Sequence, residues 1–374
     1  MISPGATLGL LGGGQLGRMF TAAARRMGYE VVVLDPDPLS PAGTLANRQI
    51  QAPYRDENAL RQIGEAAAAV TTEFENVPAA SLEFLRRFCP VRPGPEAVAL
   101  TQDRVTEKTF ARDHGLGTAG FHPVSSANDL AAAYAAVGAP AVLKTSRLGY
   151  DGKGQALVNS LDELRRWFTE FGNQPCILER RVKLDTEVSV VLARSEDAAT
   201  VTFPVAENRH VAGILETSVV PARINQALSD KAQKMAANLA QAMGYVGTMA
   251  VEFFVSDGEL LVNEMAPRPH NSGHYTIDAC VTDQFEQQVR ALAGLPLGNP
   301  TLLSPVAMIN LLGELWASGE PHWARALADP RVKLHLYGKK EPRPGRKMGH
   351  LTVLAKSPGE ALEAALAAKA RLTE

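Results

Sequence analysis

The chain has 374 residues, of which 45% are apolar and 21% charged, and a formal net charge of −2. Its length predicts two or three domains, and the near-balanced charge excludes the basic footprint of a nucleic-acid binder. Cys89, Cys176 and Cys280 are too scattered for a disulfide framework or a zinc site. With no basic leader and no apolar run near the ~20 residues of a membrane span, a soluble cytoplasmic enzyme is expected.

Ala6–Leu11 is a short apolar strand, followed by a glycine loop and a helix from Gln15 to Met27. Glu30–Asp35 is a valine-rich strand, Leu60–Ala67 a helix and Ala68–Phe74 a strand. This alternation predicts a parallel, doubly wound sheet over roughly the first hundred residues. Pro90 to Pro95 marks a boundary. Thr101–His114 reads as one helix, Ala139–Thr145 as a buried strand and Gly149–Gln155 as a glycine-rich loop. Short strands from Cys176 to Val220 predict an antiparallel sheet, and Ser229–Met243 an amphipathic helix. Gly247–Met265 is a hairpin around Asp257-Gly258. Beyond Pro296 the pattern loosens and closes with an Ala-rich helix after Pro358. The expected class is α/β and α+β, in domains 1–98, 99–296 and 297–374.

Gly12-Gly13-Gly14-Gln15-Leu16-Gly17 matches G-x-G-x-x-G between a strand and a helix, and Asp35 ends the next strand. Taken literally this is a dinucleotide site, and the chain a nicotinamide-dependent oxidoreductase. The plainer reading is a tight strand–helix turn that needs glycine for close packing. It leaves Gln15 free to touch a substrate.

Lys144 ends the strand Ala141-Val142-Leu143-Lys144. A lysine there either pairs with a carboxylate or presents a point charge to a phosphate. The loop Gly149-Tyr150-Asp151-Gly152-Lys153-Gly154 favours the phosphate, because its glycines let backbone N–H groups close around oxygens. Glu252 lies in Val251-Glu252-Phe253-Phe254, too apolar for a casual carboxylate. A two-residue turn would set it opposite Asn263, and a three-residue turn, Asp257-Gly258-Glu259, opposite Glu264. Two facing acids repel unless a cation lies between them. The three-residue register is therefore expected, with Mg²⁺ on Glu252 and Glu264. The alternative for Glu252 is a salt bridge to Lys144 or Arg268. The strand then runs into Ala266-Pro267-Arg268-Pro269-His270-Asn271-Ser272-Gly273-His274, which suits anionic or carbonyl ligands beside the metal. Lys339 and the loop Arg343-Pro344-Gly345-Arg346-Lys347 suit a phosphate monoester.

Together these segments resemble the ATP-grasp superfamily, and within it the 5-(carboxyamino)imidazole ribonucleotide synthases of purine biosynthesis. The resemblance rests on Gly12 to Met19, Glu73-Phe74-Glu75-Asn76-Val77, Asp103-Arg104, Gly149 to Gln155, Asn263 to His274 and Arg343 to His350. It implies a pre-ATP-grasp (Rossmann-like) domain, an ATP-grasp fold and a small C-terminal domain, in a homodimer. It implies ATP with Mg²⁺ (or Mn²⁺), and bicarbonate and aminoimidazole ribonucleotide as co-substrates. Arg104 and Lys144 would contact the phosphates, with loop 149–155 closing over them. The segment Glu179-Arg180-Arg181-Val182 would read the adenine through the backbone of Glu179 and Val182. Glu187 would hold the ribose, with His210 nearby and Asn263 and Glu264 at the metal end. Gln15, Glu73, Tyr150, Asp151, Lys153, Arg268, His270, Asn271, Ser272, Lys339 and Arg346 would line the substrate pocket. Asp151 would face the substrate amine, and Arg268 and His270 the bicarbonate. A related ATP-grasp ligase acting on another purine intermediate is the second reading.

Overall fold

The computed structural model describes residues 1–149 and 154–373. Tyr150, Asp151, Gly152 and Lys153, expected in the glycine-rich loop, lie outside them.

Among the described residues the strands form three sheets. The first is parallel, in the order β3-β2-β1-β4, with β1 (Thr7–Leu11), β2 (Glu30–Leu34), β3 (Arg48–Ile50) and β4 (Ala69–Thr72). It is the α/β unit that the first hundred residues predict. The second is antiparallel, β5-β8-β6-β7, from β5 (Phe121–Val124), β6 (Ala141–Thr145), β7 (Gln155–Val158) and β8 (Cys176–Arg180).

The third sheet is antiparallel and has the order β14-β13-β9-β11-β12-β15-β17-β16, with β10 on β9. Its members are β9 (Thr186–Arg194), β10 (Thr200–Thr202), β11 (Ala206–Val211), β12 (Ile214–Val220), β13 (Gly247–Ser256), β14 (Glu259–Ala266), β15 (Val306–Leu312), β16 (Val332–Leu336) and β17 (Lys347–Leu354). The C-terminal strands thus extend the central sheet by pairing Thr217 to Val220 with Val306 to Ile309. Helix 284–293, within the expected second domain, packs onto the first. Its Phe285, Val289 and Leu292 share a core with Leu16, Phe20 and Ala24 of helix 15–26.

Two local expectations are corrected. The helix expected over Thr101–His114 starts later, at Arg104, and runs to Asp113, while Thr101 ends a separate helix, Pro95–Thr101. The Asp103 carboxylate accepts from the N–H of Val105 and of Thr106, both at 3.1 Å, so it caps a new helix instead of continuing the old one. The hairpin turn has two residues, not three. Ser256 pairs with Glu259, and Asp257 and Gly258 take φ of 49° and 77°, the left-handed pair that a tight turn requires.

Glu252 nevertheless faces Glu264. A β-bulge between Glu252 and Phe253 shifts the register, so the next pair is Phe253 with Val262 and Asn263 is the extra residue. A bulge bends the strand and re-aims its side chains. The expected pairing is right, and the reason for it lies in the bulge.

The glycine loop is a packing device. A Cβ on Gly17 would sit 2.3 Å from the Gly12 carbonyl. The Asp35 carboxylate accepts from the Gly13 N–H at 2.6 Å and from the Tyr54 hydroxyl at 2.7 Å. Those bonds occupy the acid that a ribose would need.

Candidate active site

A cavity of about 570 Å³ lies where the three sheets meet. The first sheet contributes Gly12, Gly14, Gln15, Glu73 and Glu75 to its wall, and the second Lys144, Gly154 and Gln155. The central sheet and the segment after β14 contribute Glu187, His210, Glu252, Asn263, Glu264, Arg268, His270 and Asn271. Arg104, Lys339 and Lys347 complete the ring of cations.

The bulged hairpin supplies the acids. Glu264 Oε2 lies 3.2 Å from Arg104 Nη1, and Arg104 Nη2 donates to the Gly149 carbonyl at 3.2 Å. Glu252 Oε1 lies 3.4 Å from His270 Nε2. Burial, with Glu264 and Glu187 close by, pushes the Glu252 carboxyl up to about 7 against the pull of His210. Asn263 Oδ1 is buried and has no hydrogen-bond partner. Two carboxylates and an unsatisfied amide oxygen form a hard donor set. Among the described residues no group of three His, Cys, Asp or Glu forms a complete cage. A set this sparse suits Mg²⁺, which takes one or two carboxylates and completes its shell with phosphate oxygens and water.

The cations on the Lys144 side are held from behind. Lys144 Nζ donates to Glu179 Oε2 at 2.9 Å, and Lys108 Nζ lies 3.4 Å from the same oxygen. Burial opposes ionisation of Glu179, yet Lys144 and Lys108 bring its carboxyl down to about 2. Glu179, Arg180, Arg181 and Val182 are not among the residues lining the cavity; Glu179 is buried, and Arg180 and Arg181 are exposed. Arg180 Nε donates to the Val137 carbonyl at 3.2 Å, and the Arg181 N–H to the Pro140 carbonyl at 3.0 Å. His210 Nδ1 lies 2.5 Å from Glu187 Oε2. Burial disfavours the charged imidazole, but the Glu187 hydrogen bond and the nearby Glu252 carry its pKa above the ordinary value.

On the other side Arg268 Nε donates to Glu75 Oε2, and Arg268 Nη1 to the Pro269 carbonyl at 3.1 Å. Both oxygens of Glu73 are buried without a partner, and burial lifts that carboxyl well above its usual range despite Arg268. Burial and the cations Arg268 and Lys347 keep His270 neutral. Ser272 does not reach the cavity wall. It is fully buried, 2.9 Å from His270 Nδ1, and accepts from Ser189 Oγ at 2.7 Å. It orients the imidazole. Asn271 and Asn310 exchange amide hydrogen bonds at 3.1 and 2.6 Å.

Lys339 Nζ donates to Gln15 Oε1 at 2.7 Å and to the Lys347 carbonyl at 2.6 Å, which brings the first and last segments of the chain together. Arg346 is off the wall and donates to the Glu341 carbonyl at 2.8 Å. Its neighbour Lys347, the first residue of β17, faces the cavity instead. Lys347 and Glu75 line the cavity and are the wall lysine and carboxylate that spacing misses. Both lie inside segments that carry the resemblance, and only tertiary packing distinguishes them from their neighbours.

Family models match the chain in three blocks. They are a ribonucleotide synthetase preATP-grasp domain at residues 5–102, an ATP-grasp domain at 109–285 and a phosphoribosylaminoimidazole carboxylase C-terminal domain at 306–364. The N5-carboxyaminoimidazole ribonucleotide synthase of Brucella melitensis is 46% identical over 354 residues, 94% of this chain and 97% of that one. The Staphylococcus aureus N5-carboxyaminoimidazole synthetase complexed with ADP superposes with a TM-score of 0.93 at 39% identity, over 98% of each chain. The Aspergillus clavatus synthase in complex with ADP and 5-aminoimidazole ribonucleotide gives 0.90 at 29% identity, again over 98% of each. The chain belongs to the N5-carboxyaminoimidazole ribonucleotide synthase family of ATP-grasp enzymes.

Proposed function

We propose that the cavity at the junction of the three sheets carries out the reaction of this family with the residues placed around it. The chain is an ATP-dependent carbon–nitrogen ligase of purine biosynthesis. It carboxylates 5-aminoimidazole ribonucleotide to its N5-carboxy derivative. The observation that carries the assignment of roles is the facing pair Glu252 and Glu264, which lines one cavity with Lys144, Arg268 and His270.

Glu252, Glu264 and the Asn263 amide oxygen would hold Mg²⁺, or Mn²⁺ in its place, which neutralises charge on the β- and γ-phosphates. Arg104 and Lys144 bind the phosphate oxygens. Glu187 meets the ribose, and Glu179 to Val182 the adenine edge. Arg268, with the neutral His270, holds bicarbonate so that its oxygen attacks the γ-phosphorus and ADP leaves. The carboxyphosphate, or CO₂ released from it, is taken by the exocyclic amine, with loss of phosphate and a proton. For Asp151 the resemblance implies a role toward that amine, and for Tyr150 and Lys153 a role in the substrate pocket; all three lie outside the described residues. Lys339 and Lys347 hold the ribonucleotide phosphate, and Gln15, Glu73 and Asn271 shape the pocket around the base. The protein thus works by positioning and charge neutralisation.

Among the described residues no helix is long and apolar enough to cross a membrane. We place the enzyme in the cytoplasm, as a homodimer. The assay is ADP release with bicarbonate, with and without aminoimidazole ribonucleotide. Release that depends on both supports the reading; release indifferent to the ribonucleotide refutes it. Glu264→Gln is expected to lose Mg²⁺-dependent ATP hydrolysis, and full hydrolysis in that variant would refute the metal assignment.

A further inference from the structure

Helix 104–113 turns three residues of one face, at i, i+3 and i+4, toward the bulge in β14. Arg104 reaches the Glu264 carboxylate. The Glu107 carboxyl accepts the Met265 N–H, and Lys108 Nζ donates to the Asn263 carbonyl at 3.1 Å. Met265 and Asn263 flank Glu264, so consecutive helix residues grip the peptides on either side of it. The strand is the edge of the central sheet, and the helix supplies partners that a further strand would otherwise give.

Glu107 and Lys108 are each 1% exposed. Packing alone would favour apolar side chains there, since buried ionisable groups are costly without partners. Lys108 also shares Glu179 with Lys144. At the start of the helix the Arg104 N–H donates to the Ser146 carbonyl at 2.9 Å, beside the end of the Lys144 strand. The helix is a strut between the phosphate-side lysine and the acidic hairpin.

We infer that Lys108 is a positioning residue: with Glu107 it holds the bulge that turns Glu264 toward Glu252, and through Glu179 it ties Lys144 to that hairpin. Without this grip the two-residue turn sets Glu252 opposite Asn263 and sends Glu264 to the other face. The inference rests on the metal reading above.

Mn²⁺ is the probe. Its binding to the protein–ADP complex is followed by electron paramagnetic resonance, and ribonucleotide binding by calorimetry, in wild type, Lys108→Met, Lys108→Arg and Glu252→Gln. Lys108→Met is expected to weaken Mn²⁺ by about 10–100-fold, as loss of a residue behind the metal ligands does. Ribonucleotide affinity should stay within about twofold because that subsite is separate. Lys108→Arg, which keeps the charge and donor, should recover most of the Mn²⁺ affinity. Unchanged Mn²⁺ binding in Lys108→Met overturns the inference, as does an equal loss of both ligands that arginine does not restore. Mn²⁺ binding indifferent to Glu252→Gln overturns the metal reading and this inference with it; binding that needs Glu252 but not Lys108 overturns this inference alone. If Lys108→Met does not fold, amide exchange in the wild type decides: the Met265 N–H should be protected, and free exchange there refutes the grip.

Discussion

Arg268→Ala removes the cation that faces Glu75. The Arg268 side chain is 14% exposed and that of Glu75 28%. Burial pushes the Glu75 carboxyl up, yet the guanidinium carries it below the ordinary carboxylate range. Breaking such a pair costs about 3–5 kcal/mol, because the remaining charge is left without a partner. For a chain of this length the urea slope is near the top of ~1–3 kcal/mol/M, so the midpoint should fall by roughly 1–2 M. A depressed carboxyl contributes stability above its unfolded pKa of about 4.3 and loses it as pH falls through the folded value. In Arg268→Ala that contribution is gone, so the deficit against wild type is largest at neutral pH and shrinks on acidification. Adding Glu75→Gln removes the stranded charge and should restore most of the midpoint. It should not restore chemistry. The double variant should bind ATP normally but release no ADP in response to bicarbonate and aminoimidazole ribonucleotide. Retained carboxylation would refute the bicarbonate role, and a midpoint that Glu75→Gln fails to restore would refute the pairing argument.

Lys347→Ala should raise the KM for the ribonucleotide about 10–100-fold, the cost of one charged hydrogen bond, while Arg346→Ala leaves it nearly unchanged; steady-state kinetics showing the reverse order would return the phosphate to Arg346. Glu73 is raised by burial, so the folded state binds its proton more tightly than the unfolded chain and stability falls as pH rises above the unfolded value of about 4.3. Glu73→Gln should therefore gain thermal stability relative to wild type as pH rises from about 5 to about 8, and parallel melting curves would contradict this. Gly17→Ala should cost about 1–3 kcal/mol by forcing a methyl onto the Gly12 carbonyl, read as a lower melting temperature. NADH fluorescence titration of the wild type should show no binding, since Asp35 is already engaged with Gly13 and Tyr54.

Local patterns carried much of this protein. The valine-rich β2, the glycine turn before helix 15–26 and the Asp257-Gly258 hairpin are properties of short segments, and short segments are where propensity and period act. The Arg268–His274 stretch announced its polar chemistry for the same reason, since buried-strand sequence runs directly into convergent polar groups. The family resemblance named most of the cavity wall from residues that tertiary structure alone assembles.

What the sequence by itself determined was the set of elements and the segments that carry chemistry. The tertiary structure decided which neighbour within a segment faces the site. Glu264 faces Glu252 because helix 104–113 grips the bulge from outside the hairpin, 155 residues away at Lys108–Asn263. Lys347 rather than Arg346 reaches the cavity because its position in β17 is set by pairing with β15. Ser272 orients His270 rather than a ligand because Ser189 of β9 packs beneath it. Each outcome depends on a partner distant in sequence, and side-chain direction in a strand changes with a single residue of register.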